Sequence, residues 1–229
     1  VAYGGHVQKR GVTALLLGIS IGVSALSTFP VDAAIQSGGP KLATVVMKTL
    51  VVKGRAPKTG YSRAQFGAAW SDVDHNGCDT RNDILHRDLT SIVYRPGTCV
   101  VLAGVLHDPY GGKVINFRRG VATSQAVQID HVVPLSDAWQ KGAFAWTIAK
   151  RTSFANDPLE LLAVDGPLNG QKSDSDAASW LPPNKAFRCR YVARQIAVKA
   201  KYGVWVTTAE RDAFGRVLAS CPKQFLPIG

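Results

Sequence analysis

Four cysteines, Cys78, Cys99, Cys189 and Cys221, constrain this chain more than any other feature, because what they do depends on the compartment in which it folds. Lys9 and Arg10 precede the uncharged run Gly11–Leu26, and Val31-Asp32-Ala33-Ala34 follows with small residues. That order is the order of an export leader, so residues 1–34 are read as a cleaved signal peptide. The uncharged run is shorter than the ~18 residues that argue for a membrane span, and no stable membrane association is expected once the leader is removed. The expected location is secreted, in the extracellular space or the cell envelope. There the environment is oxidising and cysteines pair. Three pairings are open. No two cysteines lie at C-x-x-C spacing, which argues against a zinc site, and Cys78–Cys99 with Cys189–Cys221 closes the shortest loops.

The remaining chain is long enough for one ordinary domain, and 46% hydrophobic residues suffice for a core, which excludes intrinsic disorder and collagen-like repeats. The 27 Lys and Arg outnumber the 16 Asp and Glu, a formal charge of +11, so the partner to look for is a polyanion: nucleic acid or an acidic envelope surface. Residues 35–60 mix Gly, Pro and Lys around an apolar patch and read as a partly ordered N-terminal arm, with a domain over 61–229.

Within that domain Ser62 to Trp70 reads as a short helix capped by Ser62, and Asp83 to Leu89 as a second. Strand signals follow at Ser91–Tyr94, Cys99–Leu106 and Lys113–Phe117, the last two joined by the turn Asp108-Pro-Tyr-Gly-Gly112, and again at Val127–Val133 and Leu159–Val164. Trp139 and Trp146 stand seven apart and predict a single helix over Asp137–Ala149. A polar helix is expected from Asn169 up to Pro182 and Pro183, and helices over Lys185–Lys201 and Thr208–Ser220. The fold class is therefore α+β, a small antiparallel sheet with helices around it. Asp72, Asp74, Asn76, Gly77 and Asp83 match positions of a calcium loop, but Asp at the last position and the polar Asp79 favour a cysteine-stapled, Asx-rich turn. Arg190, Arg194 and Lys201 form a basic stripe on one predicted helix.

The most informative segment is Gln128-Ile-Asp130-His131-Val-Val-Pro134-Leu, followed by Asn156-Asp-Pro-Leu-Glu-Leu-Leu-Ala-Val and Leu168-Asn169-Gly-Gln-Lys172. Asp130 and His131 end a predicted strand and point to opposite faces, so one rigid element serves two partners. A hard cation needs few protein oxygens, here Asp130 and the Asn169 amide, with waters and a phosphate completing its shell. His131, neutral near pH 7, is placed to take a proton from water.

These residues resemble the HNH (ββα-metal) endonuclease superfamily, most closely its secreted bacterial family, which shares D-H-V-V-P-L-S-x-A-W and N-D-P-x-x-L-L-A-V segments. The similarity extends over about residues 60 to 221 and takes in Trp70, Gly77-Cys-Asp-Thr-Arg81, Asp108-Pro-Tyr, Trp180-Leu-Pro-Pro-Asn184 and both outer cysteines. The resemblance implies a ββα-metal core with Asp130 and Asn169 as metal ligands, His131 as general base and Asn156 as a loop-fixing asparagine of the catalytic set. Lys172 and Arg81 are its phosphate-binding candidates, Arg81 also having Asp79 as an internal partner. Asp rather than His as the first letter favours one Mg²⁺, or Mn²⁺ or Ca²⁺, over zinc. The implied activity is one-metal hydrolysis of nucleic-acid phosphodiesters, DNA first and RNA second, with little sequence preference and 5′-phosphate products. The rival expectations are a basic envelope protein that binds nucleic acid without cutting it, and a metal-dependent hydrolase of another ester.

Overall fold

The structure, a computed structural model, describes residues 39–227. The signal-peptide reading of residues 1–34 lies outside the described residues. Residues 39–227 group as one compact unit, and residues 39–60, read as part of a partly ordered arm, are built into it. Helix α1 (Ala43–Met47) packs on the two C-terminal helices, Leu42 bridges to Phe225, and Val52 bridges to Val206. Burial of Ala43 and Leu50 holds this segment down.

The domain is α+β with two small antiparallel sheets. After a 3₁₀ turn at Arg63–Phe66 comes α2 (Thr80–Asp88), whose N-terminus Asp79 caps by accepting from the Asn82 N–H. Strands β1 (Leu89–Tyr94), β2 (Val101–His107) and β3 (Val114–Arg118) form a meander in that order. β4 (Val127–His131) then pairs with β5 (Leu161–Asp165), with α3 (Leu135–Gln140) and α4 (Ile148–Ala155) between them in the chain. α5 (Gly166–Lys172) leaves β5 directly, and α6 (Arg188–Tyr202) and α7 (Thr208–Leu218) complete the chain.

The β4–β5 pair is sandwiched between two apolar clusters. Val127, Ile129, Leu161 and Ala163 face a cluster with α2 and the three-stranded sheet, whereas Leu162 and Val164 face the larger cluster of α3, α4, α6 and α7. Burial on both faces fixes the register, because a one-residue slip would exchange the two sets. Disulfide Cys78–Cys99 ties the loop before α2 to the start of β2, and Cys189–Cys221 ties α6 to the segment after α7. Each such crosslink contributes roughly 2–4 kcal/mol.

Three expected helices are redrawn. Ser62 makes no cap, and the helix expected to Trp70 stops at Gly67, which has φ 83° and whose Cβ would lie 2.3 Å from the Thr152 hydroxyl oxygen. The helix expected over Asp137–Ala149 is two, α3 and α4, split around Gly142 at φ 125° against Trp205. Trp139 therefore packs with Phe66 and Tyr61 while Trp146 packs with Phe154 and Tyr202. The helix expected from Asn169 starts earlier, where Asp165 caps it through the Leu168 N–H, and ends at Lys172 with Ser173 at φ 47°.

Candidate active site

β4 ends in Asp130 and His131, paired with Leu162 and Leu161 of β5. Alternation along the strand sends their side chains to different neighbours. Asp130 is only 4% exposed; its Oδ1 lies 2.9 Å from the Lys172 ammonium, and its Oδ2 accepts from the Tyr110 hydroxyl at 2.5 Å. Burial pushes this carboxyl above its usual range, and Lys172 and Tyr110 draw it back only in part.

Lys172 also donates to the His131 carbonyl at 2.8 Å and is fully buried. It thus lies beneath the site, bound to Asp130 and outside the lining of the cleft, and is not open to a phosphate there as the resemblance implies. The physical reason is Asp130 itself, since a carboxylate taken out of water needs a cation beside it.

His131 Nε2 lies 3.0 Å from the Ala155 carbonyl oxygen. A carbonyl only accepts, so Nε2 carries the proton and Nδ1 keeps its lone pair. Burial and the Arg63 charge lower the imidazole pKa from 6.5 to about 3, against the opposing pull of the Ala155 bond. The ring is therefore neutral at physiological pH. Trp70 lies over it nearly parallel, with centroids 6.1 Å apart and planes inclined by 16°. Trp70 has φ 59°, a left-handed conformation that bulky residues rarely adopt.

Asn156 ends α4, and its backbone N–H and side-chain amide both donate to the Thr152 carbonyl, at 3.1 and 2.9 Å. It thereby fixes the turn whose Ala155 carbonyl holds His131. Its Oδ1 is buried with no hydrogen-bond partner among the described residues. Asn169 sits inside α5 and donates through Nδ2 to Gln128 Oε1 at 2.9 Å, which leaves its own Oδ1 out of that bond.

Asp130, His131, Asn169 and Arg81 come together as the lining of one polar cleft of about 370 Å³, joined there by Arg63, Trp70 and Gln128. Asn156 lies in the adjoining pocket on the far side of His131. Arg81 has no carboxylate at salt-bridge distance among the described residues, since Asp79 is engaged in capping α2; burial and the nearby Arg119 lower its pKa. Of the basic stripe on α6 only Arg194 turns inward, whereas Arg190 and Lys201 are exposed. Arg194 donates to the Pro158, Leu159 and Leu161 carbonyls, and Lys201 pairs with Asp157 at 2.6 Å. The Asp72–Asp83 segment is an Asx-rich turn in which the Asn76 and Gly77 N–H groups donate to Asp72.

Among the described residues no three His, Cys, Asp or Glu side chains cluster so as to hold a metal by themselves. A cation beside Asp130 would rest on that carboxylate and neutral oxygens, since the cleft's other carboxylate, Asp174, pairs with Lys58 at 2.8 Å. That donor set fits a hard divalent ion: each Asp130 oxygen keeps a lone pair, its charge is incompletely compensated, and Asn169 Oδ1 is at hand. Sequence reasoning missed Arg63, Gln128 and the roles of Tyr110 and Trp70. Tyr110 and Trp70 fall in segments that carry the family resemblance, whereas no local pattern marks Arg63.

The α+β domain thus sets a neutral histidine beside a buried carboxylate in a polar cleft lined by two arginines and a second carboxylate, Asp174. Residues 79–217 match the C-terminal domain of the GmrSD restriction endonucleases, and the chain belongs to that family. It is also 37% identical over 181 residues to a protein of the fungus Arthroderma benhamiae described as an uncharacterized secreted protein, an alignment covering 78% of this chain and 84% of that one. This relative is fungal, whereas the resemblance in the sequence points to bacterial proteins. No solved structure matches the chain. Among the described residues no helix is long and apolar enough to cross a membrane.

Proposed function

We propose that the protein is an exported, metal-dependent endonuclease that hydrolyses nucleic-acid phosphodiester bonds on a ββα-metal (HNH) core, with little sequence preference. The observation that carries this reading is His131: neutral, held in one tautomer by the Ala155 carbonyl, and adjacent to Asp130 at the mouth of a cleft that also holds Asn169. The antiparallel β4–β5 pair followed at once by α5 supports the ββα reading. Membership of a restriction-endonuclease family supports nucleic acid as substrate. The leader-like residues 1–34, the two disulfides and the secreted description of the fungal relative support export.

In this mechanism Asp130 and Asn169 would hold one Mg²⁺, or Mn²⁺ or Ca²⁺ in its place, which when bound supplies positive charge beside the phosphate. Lys172 and Tyr110 keep Asp130 oriented. Arg81 and Arg63 draw the phosphate into the cleft, and His131 Nδ1 accepts the proton of the attacking water. A pKa of about 3 makes the free imidazole a weak base, and part of that depression is the charge of Arg63. A phosphate diester at Arg63 offsets that charge and raises the basicity of His131 when substrate is bound. In-line attack with release of the 3′ oxygen leaves 5′-phosphate ends.

The test is supercoiled-plasmid cleavage by the oxidised protein with Mg²⁺, beside EDTA and His131→Ala controls at equal folded concentration. Metal-dependent nicking lost in the variant is the expected result. A plasmid that shifts on a gel yet stays uncut under every divalent ion would instead establish a binding protein.

A further inference from the structure

His131 forms part of two cavities. Beyond the polar cleft lies a pocket of about 250 Å³ that shares His131, Trp70, Arg63 and Leu135 with it and is otherwise largely apolar, with Phe66 and Ala64 in its wall. Its volume falls below the ~300–1,000 Å³ of sites that enclose drug-sized ligands, so it suits a single planar ring system. Its polar feature is Asn156, nine-tenths buried and more, whose Oδ1 has no partner among the described residues while Nδ2 is engaged with Thr152. One wall, residues 63–70, precedes the stretch matched by the family. In that wall Trp70 is held in a left-handed conformation parallel to the imidazole, and such conformations persist where the surroundings over-determine them and cluster at functional sites.

We infer that this pocket takes one unstacked nucleobase of the substrate strand, next to the phosphate at His131, so that the enzyme prefers single-stranded or unpaired nucleic acid. The inference rests on the nuclease reading of the neighbouring cleft. Arg63, on the rim common to both cavities, meets the phosphate that the base carries. The base must leave the stack to enter, which a single strand allows without breaking a pair. Stacking on apolar and aromatic walls is tolerant of sequence, because every base has a π face.

The experiment measures binding of a labelled single-stranded oligonucleotide by fluorescence anisotropy in EDTA, with an abasic site moved through each position in turn. Cleavage with Mg²⁺ is then followed on single strand, matched duplex and bis(p-nitrophenyl) phosphate, a diester without a base. One abasic position is expected to weaken binding about tenfold, and single strand to be cut at least tenfold faster than duplex. Ala64→Phe, which fills the pocket, should erase both effects and leave cleavage of the base-free diester within twofold; Ala68→Leu, at an exposed position of the same wall, is the second filling variant. Binding indifferent to every abasic site, with duplex cut as fast as single strand, overturns the inference while leaving the nuclease reading intact. A position-specific loss of binding that Ala64→Phe removes, in a protein that cuts no diester with Mg²⁺ or Mn²⁺, supports the pocket and overturns the nuclease reading.

Discussion

Two largely buried ionic assemblies lie in this domain, and one of them lines the polar cleft. In the first, Lys141 lies 2.7, 2.9 and 2.6 Å from Asp137, Asp176 and Glu210; Lys199 lies 3.3 and 2.9 Å from Asp137 and Glu210; and Arg55 lies 2.7 Å from both Asp137 and Asp176. Three cations thus face three carboxylates. Burial alone would raise Asp137, but Lys199 and Lys141 outweigh it and hold the carboxyl below its usual range. In the second assembly, at the site, burial dominates and Asp130 is raised despite Lys172 and Tyr110. Both assemblies set a buried lysine against a buried aspartate. What differs is the completeness of compensation, and a buried carboxylate left short of positive charge at a cleft is the arrangement a substrate or cation can complete.

The sharpest way to break this contrast is to remove His131. His131→Ala should lower plasmid cleavage by about 10²–10⁴-fold, the usual contribution of a positioned general base, with the thermal transition retained. A variant that cuts at the wild-type rate would remove the chemical meaning of the second assembly.

Next come the two lysines, each of which leaves a buried carboxylate without its cation. Lys141→Met and Lys172→Met should each cost roughly 3–5 kcal/mol in urea unfolding. Only Lys172→Met should lower cleavage per folded molecule, because without its ammonium Asp130 is pushed further toward the protonated form. Equal loss of activity in both variants would show that the assemblies do not differ in function.

The third prediction concerns pH. The imidazole of His131 has its folded pKa lowered from 6.5 to about 3, so the unfolded chain binds a proton in that interval and the folded one does not. The stability this group contributes is present above pH 6.5 and is lost as the pH falls toward 3, by up to ~1.4 kcal/mol per pH unit. Urea unfolding of wild type and His131→Asn between pH 7 and 4 should show the slope diminished in the variant. Parallel slopes would mean that His131 titrates normally in the folded protein.

Part of this organisation is legible in the amino-acid sequence alone. The meander strands are readable because alternation and the Asp108–Gly112 turn are local signals, and Asp130, His131, Asn156 and Asn169 stand out through the family resemblance of the segments that hold them. Other features escape such reading for physical reasons. The seven-residue spacing of Trp139 and Trp146 imitates a helix face, yet Gly142 breaks the helix and the two rings fill different parts of one core. Lys172 looks like any helix lysine until Asp130 proves buried and needs it. Arg63 and the apolar pocket depend on a chain segment distant in sequence from β4, and no local pattern records such a contact.

The smallest effect sharpens the same comparison from the solvent side. Arg81 lines the cleft without a carboxylate partner among the described residues, whereas Arg55 at the closed assembly has two. An arginine whose role is to draw in phosphate binds ground state and transition state alike, so Arg81→Gln should raise KM and leave kcat unchanged. The expected change is about tenfold, corresponding to the ~1.5 kcal/mol of one hydrogen bond to a charged group. It should shrink as salt is added, because the lost contact is one that displaces a counterion from the substrate. Steady-state cleavage of a labelled oligonucleotide at low and high salt measures both quantities. A fall in kcat with KM unmoved would place Arg81 at the transition state rather than at the mouth of the cleft.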